Sequence, residues 1–177
     1  MKTLMLTALS LALLGLNTSH AAIYTLSGGL DVLQAGTNGD FVTGSGNGTG
    51  TIVGDYDDVA DLLNYTITWQ DLLDPGTVTN MHFHNAPAGA SAGVDLGIPA
   101  NSGADWVSPI DRTAIPVGAA EETNLLAGNW YVNIHTSNFG GGEIRGQVLV
   151  ALVPEPATAG LAVIAFLSAV SLGRRKR

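Results

Sequence analysis

Glycine is concentrated in the middle of this chain and limits the secondary structure that this part can form. Twenty of the 23 glycines among the 177 residues lie between residues 22 and 153. Short segments run between them in which apolar residues alternate with polar ones, as at Leu63, Tyr65, Ile67 and Trp69. A period of two places alternate side chains on one face of a strand, and frequent glycines favour turns over long helices. We therefore predict an all-β domain of seven or eight short antiparallel strands, arranged as a sandwich or a flattened barrel.

The first 21 residues have the three-part composition of a secretory signal peptide. Lys2 supplies a positive charge, residues 4–16 form an apolar run, and small and polar residues follow. The apolar run is too short for a comfortable membrane crossing. We predict a signal helix that signal peptidase removes as residues 1–21, so that the mature chain begins at Ala22.

The last 25 residues combine prolines, an apolar stretch and a basic terminus. Residues 157–173 are almost entirely apolar, which predicts a hydrophobic helix that is slightly short for a membrane span. Cations after such a helix stay on the cytoplasmic side. We interpret residues 153–177 as a sorting or anchoring segment, separate from a domain at residues 22–152. Its marker residues are Pro154, Glu155, Pro156, Arg174, Arg175, Lys176 and Arg177.

The charge of the central part excludes one class of partner. The whole chain has a formal net charge of −8, but residues 22–153 hold fourteen acidic residues and two basic ones, a net −12. Nucleic-acid binding needs a basic surface, so we expect no nucleic-acid partner. The chain has no cysteine, which excludes disulfides and thiolate chemistry. Since no specific catalytic motif is present, we expect a protein that is not an enzyme.

Three of the four histidines are predicted to share one face of the sheet. His82 and His84 alternate in a predicted strand at residues 77–84, and His135 lies in one at residues 130–136. In the second strand, the apolar residues Trp130, Val132 and Ile134 would point into the core. The opposite, outward face would then carry His82, His84, His135, Asn133, Glu143 and Arg145.

This polar face has two interpretations. The histidines and Arg145 could hold the small-residue loop at residues 85–92 and pair with Glu143 or backbone carbonyls, which is a structural role. Alternatively, His82, His84 and His135 could ligate copper or zinc, because imidazole suits both metals. A third candidate is a calcium site among the four carboxylates of residues 55–61, although the segment lacks an EF-hand pattern and reads equally as a solvated loop.

Two sequence motifs resemble the CHRD domain, a family named from chordin. The first is His82-Phe83-His84 followed by a small Pro/Gly loop, and the second is Tyr131–Thr136 followed by residues 142–146, Gly-Glu-Ile-Arg-Gly. The resemblance implies an immunoglobulin-like or superoxide-dismutase-like β-sandwich and assigns no activity. The histidine pattern also looks like the copper face of copper/zinc superoxide dismutase, but that family uses more histidines and a disulfide.

The C-terminal segment resembles the PEP-CTERM sorting signal of Gram-negative bacteria, in the order Pro-Glu-Pro, apolar helix, basic cluster. The resemblance implies recognition by exosortase, a transient stop in the inner membrane, and delivery to the cell surface or the extracellular matrix. Exopolysaccharide or envelope components are the partners it implies. The sequence therefore predicts an exported structural or interaction module of the matrix, with a copper- or zinc-binding protein as the alternative.

Overall fold

The computed structural model describes residues 21–36, 46–73, 77–101 and 105–154. The predicted signal peptide, apart from Ala21, and the sorting segment after Pro154 lie outside these ranges, so both remain predictions. Within them, neither helix has the length and hydropathy that crossing a membrane requires.

Strands dominate the described residues, and the all-β prediction is confirmed. The two helices are short: α1 spans Val32–Gly36 and α2 spans Ala119–Leu126. The strands are β1 Ile23–Asp31, β2 Thr49–Asp57, β3 Leu62–Gln70, β4 Val78–Asn85, β5 Val94–Gly97, β6 Ile110–Pro116, β7 Trp130–Thr136, β8 Ile144–Gln147 and β9 Leu149–Leu152.

All nine strands belong to one antiparallel sheet that curls into a half-barrel. Its order is β5-β4-β7-β8-β1-β2-β3-β6, and β9 also pairs with β1. The curl brings distant strands face to face across the core. Tyr65 of β3 meets Phe83 of β4 edge to face, with ring centroids 5.2 Å apart. Burial of such apolar side chains is the main favourable term for folding.

The final strands connect the two halves of this sheet. β8 pairs with β7 and, at Arg145, with Asp31 of β1, whereas β9 pairs with β1; the chain leaves β7 at Val148. Val148 is fully buried, and its N–H donates to the carbonyl of Trp130. The predicted inward residues Trp130, Val132 and Ile134 are all fully buried. Residues 144–152 therefore close the core by joining the β7 half to the β1 half.

One strand ends earlier than the sequence suggests. The sequence favours a strand through Leu33, but β1 stops at Asp31. The Asp31 carboxylate accepts hydrogen bonds from the Gln34 backbone N–H at 2.8 Å and from the Gln34 side chain at 2.9 Å. A carboxylate that accepts a free N–H of the first turn favours helix initiation. This local hydrogen bond starts α1 and overrides the strand propensity of Val32.

The adjacent glycines of β1 have different surroundings. The sequence predicts a β-bulge at Gly28-Gly29. This prediction is wrong, because β1 and β2 pair through both glycines without a shift of register. A Cβ on Gly28 would lie 2.5 Å from the carbonyl oxygen of Gln147, whereas one on Gly29 would meet nothing within 4 Å. Gly28 therefore permits the close approach of β8 to β1.

We expect Gly28→Ala to lower the free energy of unfolding by about 1–3 kcal/mol, because the added methyl group overpacks the contact with Gln147. Gly29→Ala is the matched control and should change it by less than about 0.5 kcal/mol. Urea denaturation of both variants measures the difference. Equal losses from the two substitutions would contradict the close approach.

Candidate metal centre

The three histidines lie together on neighbouring strands. His82 and His84 belong to β4, which pairs with β7, where His135 lies opposite Asn80. One nitrogen of each imidazole lies within 4.8 Å of the other two. The shortest contact joins His82 Nδ1 and His135 Nε2 at 3.2 Å. The alternation that the sequence indicates has brought these rings onto one face.

Backbone carbonyls set the tautomers of two of these rings. His84 Nδ1 lies 3.0 Å from the carbonyl oxygen of Ala92, and His135 Nδ1 lies 2.8 Å from that of Gly140. A carbonyl only accepts, so each Nδ1 carries a hydrogen and each Nε2 presents a lone pair. His84 Nε2 is buried and has no hydrogen-bond partner in the described part of the chain. Metal-binding histidines are typically oriented in this way by a carbonyl on the second nitrogen.

The surroundings also keep two of the imidazoles neutral. Burial lowers the pKa of His82, and the nearby His135 and His84 lower it further. Burial is also the main cause of the lowered pKa of His84, and the hydrogen bond with Ala92 opposes it in part. Because metals bind the neutral imidazole, these shifts favour the ligand form of both side chains.

A stack of three side chains lies behind the cluster. The guanidinium carbon of Arg145 lies 3.3 Å from the ring centroid of Tyr131. The rings of Tyr131 and His84 stack with centroids 4.8 Å apart and an interplanar angle of 6°. Since β4 and β8 flank β7 on opposite sides, Tyr131 lies between the cation and the imidazole. The stack fixes the position of the His84 ring.

The face that carries these side chains is buried, because a loop is held over it as the structural interpretation of the sequence predicts. Tyr131 is 1% exposed, Asn133 2% and Arg145 2%. The loop at residues 86–93 covers Tyr131 and Arg145: the Tyr131 hydroxyl accepts from the Ala92 N–H, and Arg145 Nη2 donates to the carbonyl of Ala90 at 2.6 Å. Alternation correctly separated this face from the core but could not show that a loop folds over it.

A second loop, at residues 137–142, covers the other end of this face. The Asn133 side-chain amide donates to the carbonyl of Gly141 at 2.8 Å. Gly142 has a φ of 127°, and a Cβ there would collide with the Asn133 carboxamide. Glycine is required at this position because the left-handed conformation and the close approach coincide. This loop supplies the Gly140 carbonyl that orients His135.

Glu143 does not lie with Arg145, and its assignment to the outward face is wrong. Its carboxylate is fully buried and accepts hydrogen bonds from Thr136 Oγ1 at 2.7 Å and from the Leu73 backbone N–H at 2.5 Å. Thr136 alternates with Ile134, so this carboxylate is on the core side. Glu143 precedes the first residue of β8, and the period of two does not extend to it.

The four carboxylates at the end of β2 and in the turn that follows it accept hydrogen bonds from protein donors. Asp57 Oδ1 accepts from the backbone N–H groups of Val59 and Ala60, which makes an Asx-type turn. Each of the other three carboxylates also accepts a hydrogen bond. The donors are the Asn64 side-chain amide for Asp55, the Ala22 backbone N–H for Asp58 and the Tyr56 hydroxyl for Asp61. Among the residues that the structure describes, only the three histidines form a group suited to a metal ion.

Sequence reasoning missed the groups that orient the ligands. The carbonyls of Ala92 and Gly140 are backbone atoms, and no residue type marks them. Tyr131 lies between the inward residues Trp130 and Val132, so the period of two predicts the outward face for it, but its position between Arg145 and His84 depends on packing across three strands. The abundance of alanine and glycine in the two loops was the only signal, since small residues allow a backbone to approach a sheet closely.

Together these features define a small all-β domain with a candidate three-histidine metal centre beneath two loops. Residues 24–148 match the family model of the CHRD domain, and the chain belongs to this family. The match includes all three histidines and Arg145. No curated protein and no solved structure matched the chain in two further searches. The CHRD β-fold is compatible with a structural or interaction module.

Metal-free protein should lose stability as the pH falls below about 6.5, the ordinary pKa of histidine. The lowered native pKa values of His82 and His84 mean that the unfolded chain binds more protons than the folded one in this range. Stability is therefore highest above pH 6.5 and declines until the native pKa values are passed.

Thermal denaturation in the presence of a chelator between pH 7.5 and pH 5.5 measures this loss of stability. His84→Gln removes one of the two titrating groups, so its stability should fall less steeply with pH than that of the wild type. A steeper decline in His84→Gln than in the wild type would contradict the assignment.

Proposed function

We propose that the biochemical function of this chain is to bind a copper or zinc ion through His82, His84 and His135. The observation that carries the proposal is the convergence of three imidazole nitrogens, two of which have their lone pairs directed by backbone carbonyls. We propose a binding role rather than catalysis.

The distances suit such an ion after a small movement. Metal–nitrogen bonds of about 2.0–2.1 Å place the nitrogens of a tetrahedral site about 3.4 Å apart. His82 Nδ1 donates a hydrogen bond to His135 Nε2 across 3.2 Å, and a metal ion would displace that hydrogen to His82 Nε2. The widest separation in the cluster is no more than 4.8 Å. His82 is partly exposed, so its ring can rotate to close the remaining gap.

Zinc or copper should bind the purified protein with a stoichiometry of one and raise its melting temperature. At a free metal concentration of 100 times the dissociation constant, linkage predicts a stabilisation of about 2.7 kcal/mol. His135→Gln should weaken binding by more than about tenfold, the lower limit for losing even an outer-shell partner. Titration calorimetry measures the affinity, and elemental analysis measures the stoichiometry.

Asn80→Ser is the matched control, because Asn80 shares this face of β4 but supplies no ligand. The metal affinity of the Asn80→Ser protein should equal that of the wild type. The proposal fails if neither metal binds stoichiometrically, or if His135→Gln and Asn80→Ser behave alike.

A metal-free structural role is the second candidate function. It is favoured by the hydrogen bonds through which Arg145, His84 and Asn133 hold two loops without a metal ion. In that case the polar face would stabilise a surface on which the CHRD module contacts its partner. The metal titration distinguishes the two candidates, because only the first predicts stoichiometric uptake.

We also propose that the protein is exported from a Gram-negative cell and sorted by exosortase. The three-part composition of residues 1–21 supports export, and the ordered Pro-Glu-Pro, apolar and basic parts of residues 154–177 support sorting. Both segments lie outside the matched family domain at residues 24–148. Signal peptidase and exosortase would process the chain at the inner membrane, and the product would reach the cell surface or an exopolysaccharide matrix.

In an exosortase-bearing host, the surface form should begin at Ala22 and lack Arg174–Arg177. Intact-mass spectrometry of the surface fraction measures both ends. Replacing Pro154, Glu155 and Pro156 together with alanine should leave the N-terminal cleavage unchanged and block C-terminal processing. A surface form that retains Arg177 would overturn the sorting proposal.

A further inference from the structure

The candidate metal centre has room for a ligand from outside the chain, and this inference depends on the metal binding proposed above. We propose that the open coordination position of the bound ion takes a carboxylate of an acidic polysaccharide. The metal would then be the recognition element of the module.

The first argument is the number of ligands. Zinc prefers four, and a site with three protein ligands leaves one position for water or an external donor. Across the described ranges, no fourth histidine, aspartate or glutamate joins His82, His84 and His135 in the cluster. His82 and His135 are partly exposed, whereas His84 is buried, so solvent and an external donor can reach the cluster from the side of His82 and His135.

The second argument is the charge around the centre. Residues 22–153 have a net charge of −12, which would repel an anionic polymer from most of the surface. The two loops beside the cluster, residues 86–93 and 137–142, contain no charged residue. The buried Arg145 lies behind them, and a divalent ion would add two positive charges in front. The two loops therefore add no negative charge that would repel an anion from the cluster.

The third argument concerns the kind of carboxylate. Protein partners are held mainly by clusters of aromatic, aliphatic and arginine anchors. The two loops offer chiefly alanine, glycine, serine and asparagine, with Phe139 as their only aromatic residue. Val94, opposite His84 on β5, is exposed, but an isolated apolar residue does not make an interface. Carboxylates spaced along a sugar chain need only the ion and a flat polar surface.

Calorimetry with trigalacturonate tests the proposal on the purified protein with and without stoichiometric zinc. Zinc loading should strengthen trigalacturonate binding at least tenfold, while neutral galactotriose should bind neither form. The His135→Gln protein should bind zinc weakly, so adding zinc should not raise its affinity for trigalacturonate. Arg112→Gln is the matched control, because Arg112 is the other cation of the domain and donates to the carbonyls of Pro99 and Ala100. The zinc-loaded Arg112→Gln protein should bind trigalacturonate like the wild type.

The outcomes separate this inference from the function on which it depends. If zinc binds but does not change the affinity for trigalacturonate, the external carboxylate is refuted and the metal site is retained. If zinc does not bind, the proposed function itself fails. If the zinc-loaded protein binds a triglutamate peptide more tightly than trigalacturonate, the assignment to a polysaccharide is overturned.

Discussion

The placement of Tyr131 between the Arg145 guanidinium and the His84 imidazole is the contact on which the polar face depends. All three side chains are buried, and burial of a cation is tolerated only where it has partners. The aromatic ring meets one side of Arg145, and the Ala90 carbonyl accepts from its edge. The stack therefore couples three strands to the loop at residues 86–93, and it holds the His84 ring where its Nε2 faces the other histidines.

The structural and metal-binding interpretations of this face are compatible. The hydrogen bonds that hold the loops to the sheet are also those that set the tautomers of His84 and His135. In the proposed metal centre, each loop would thus act as an outer shell for the histidine that it contacts. Burial lowers the pKa values of His82 and His84, which favours the neutral rings that a metal ion would bind. Arg145 would thus support a metal centre through its structural role, because it holds the loop at residues 86–93 and the Tyr131 ring against which His84 stacks.

Much of the fold could be predicted because alternation in a strand is a local property. The positions of β3, β4 and β7 and the inward residues of β7 followed from the period of two. The errors occurred where a local bond or a strand end interrupts the period. Asp31 ends β1 by starting a helix, and Glu143 precedes β8, so its carboxylate turns to Thr136 on the core side. The alternation of apolar and polar residues does not mark where such interruptions occur.

The sequence alone determined the strand pattern, the acidic charge and the face shared by His82, His84 and His135, because each depends on residue type and spacing. Tertiary structure decided that this face is buried, that Arg145 stacks on Tyr131, and which nitrogen of two histidines is available to a ligand. The physical reason is that these features depend on backbone carbonyls and on contacts across strands distant in sequence. The chemistry of the face was therefore readable in the residues, but its geometry was not.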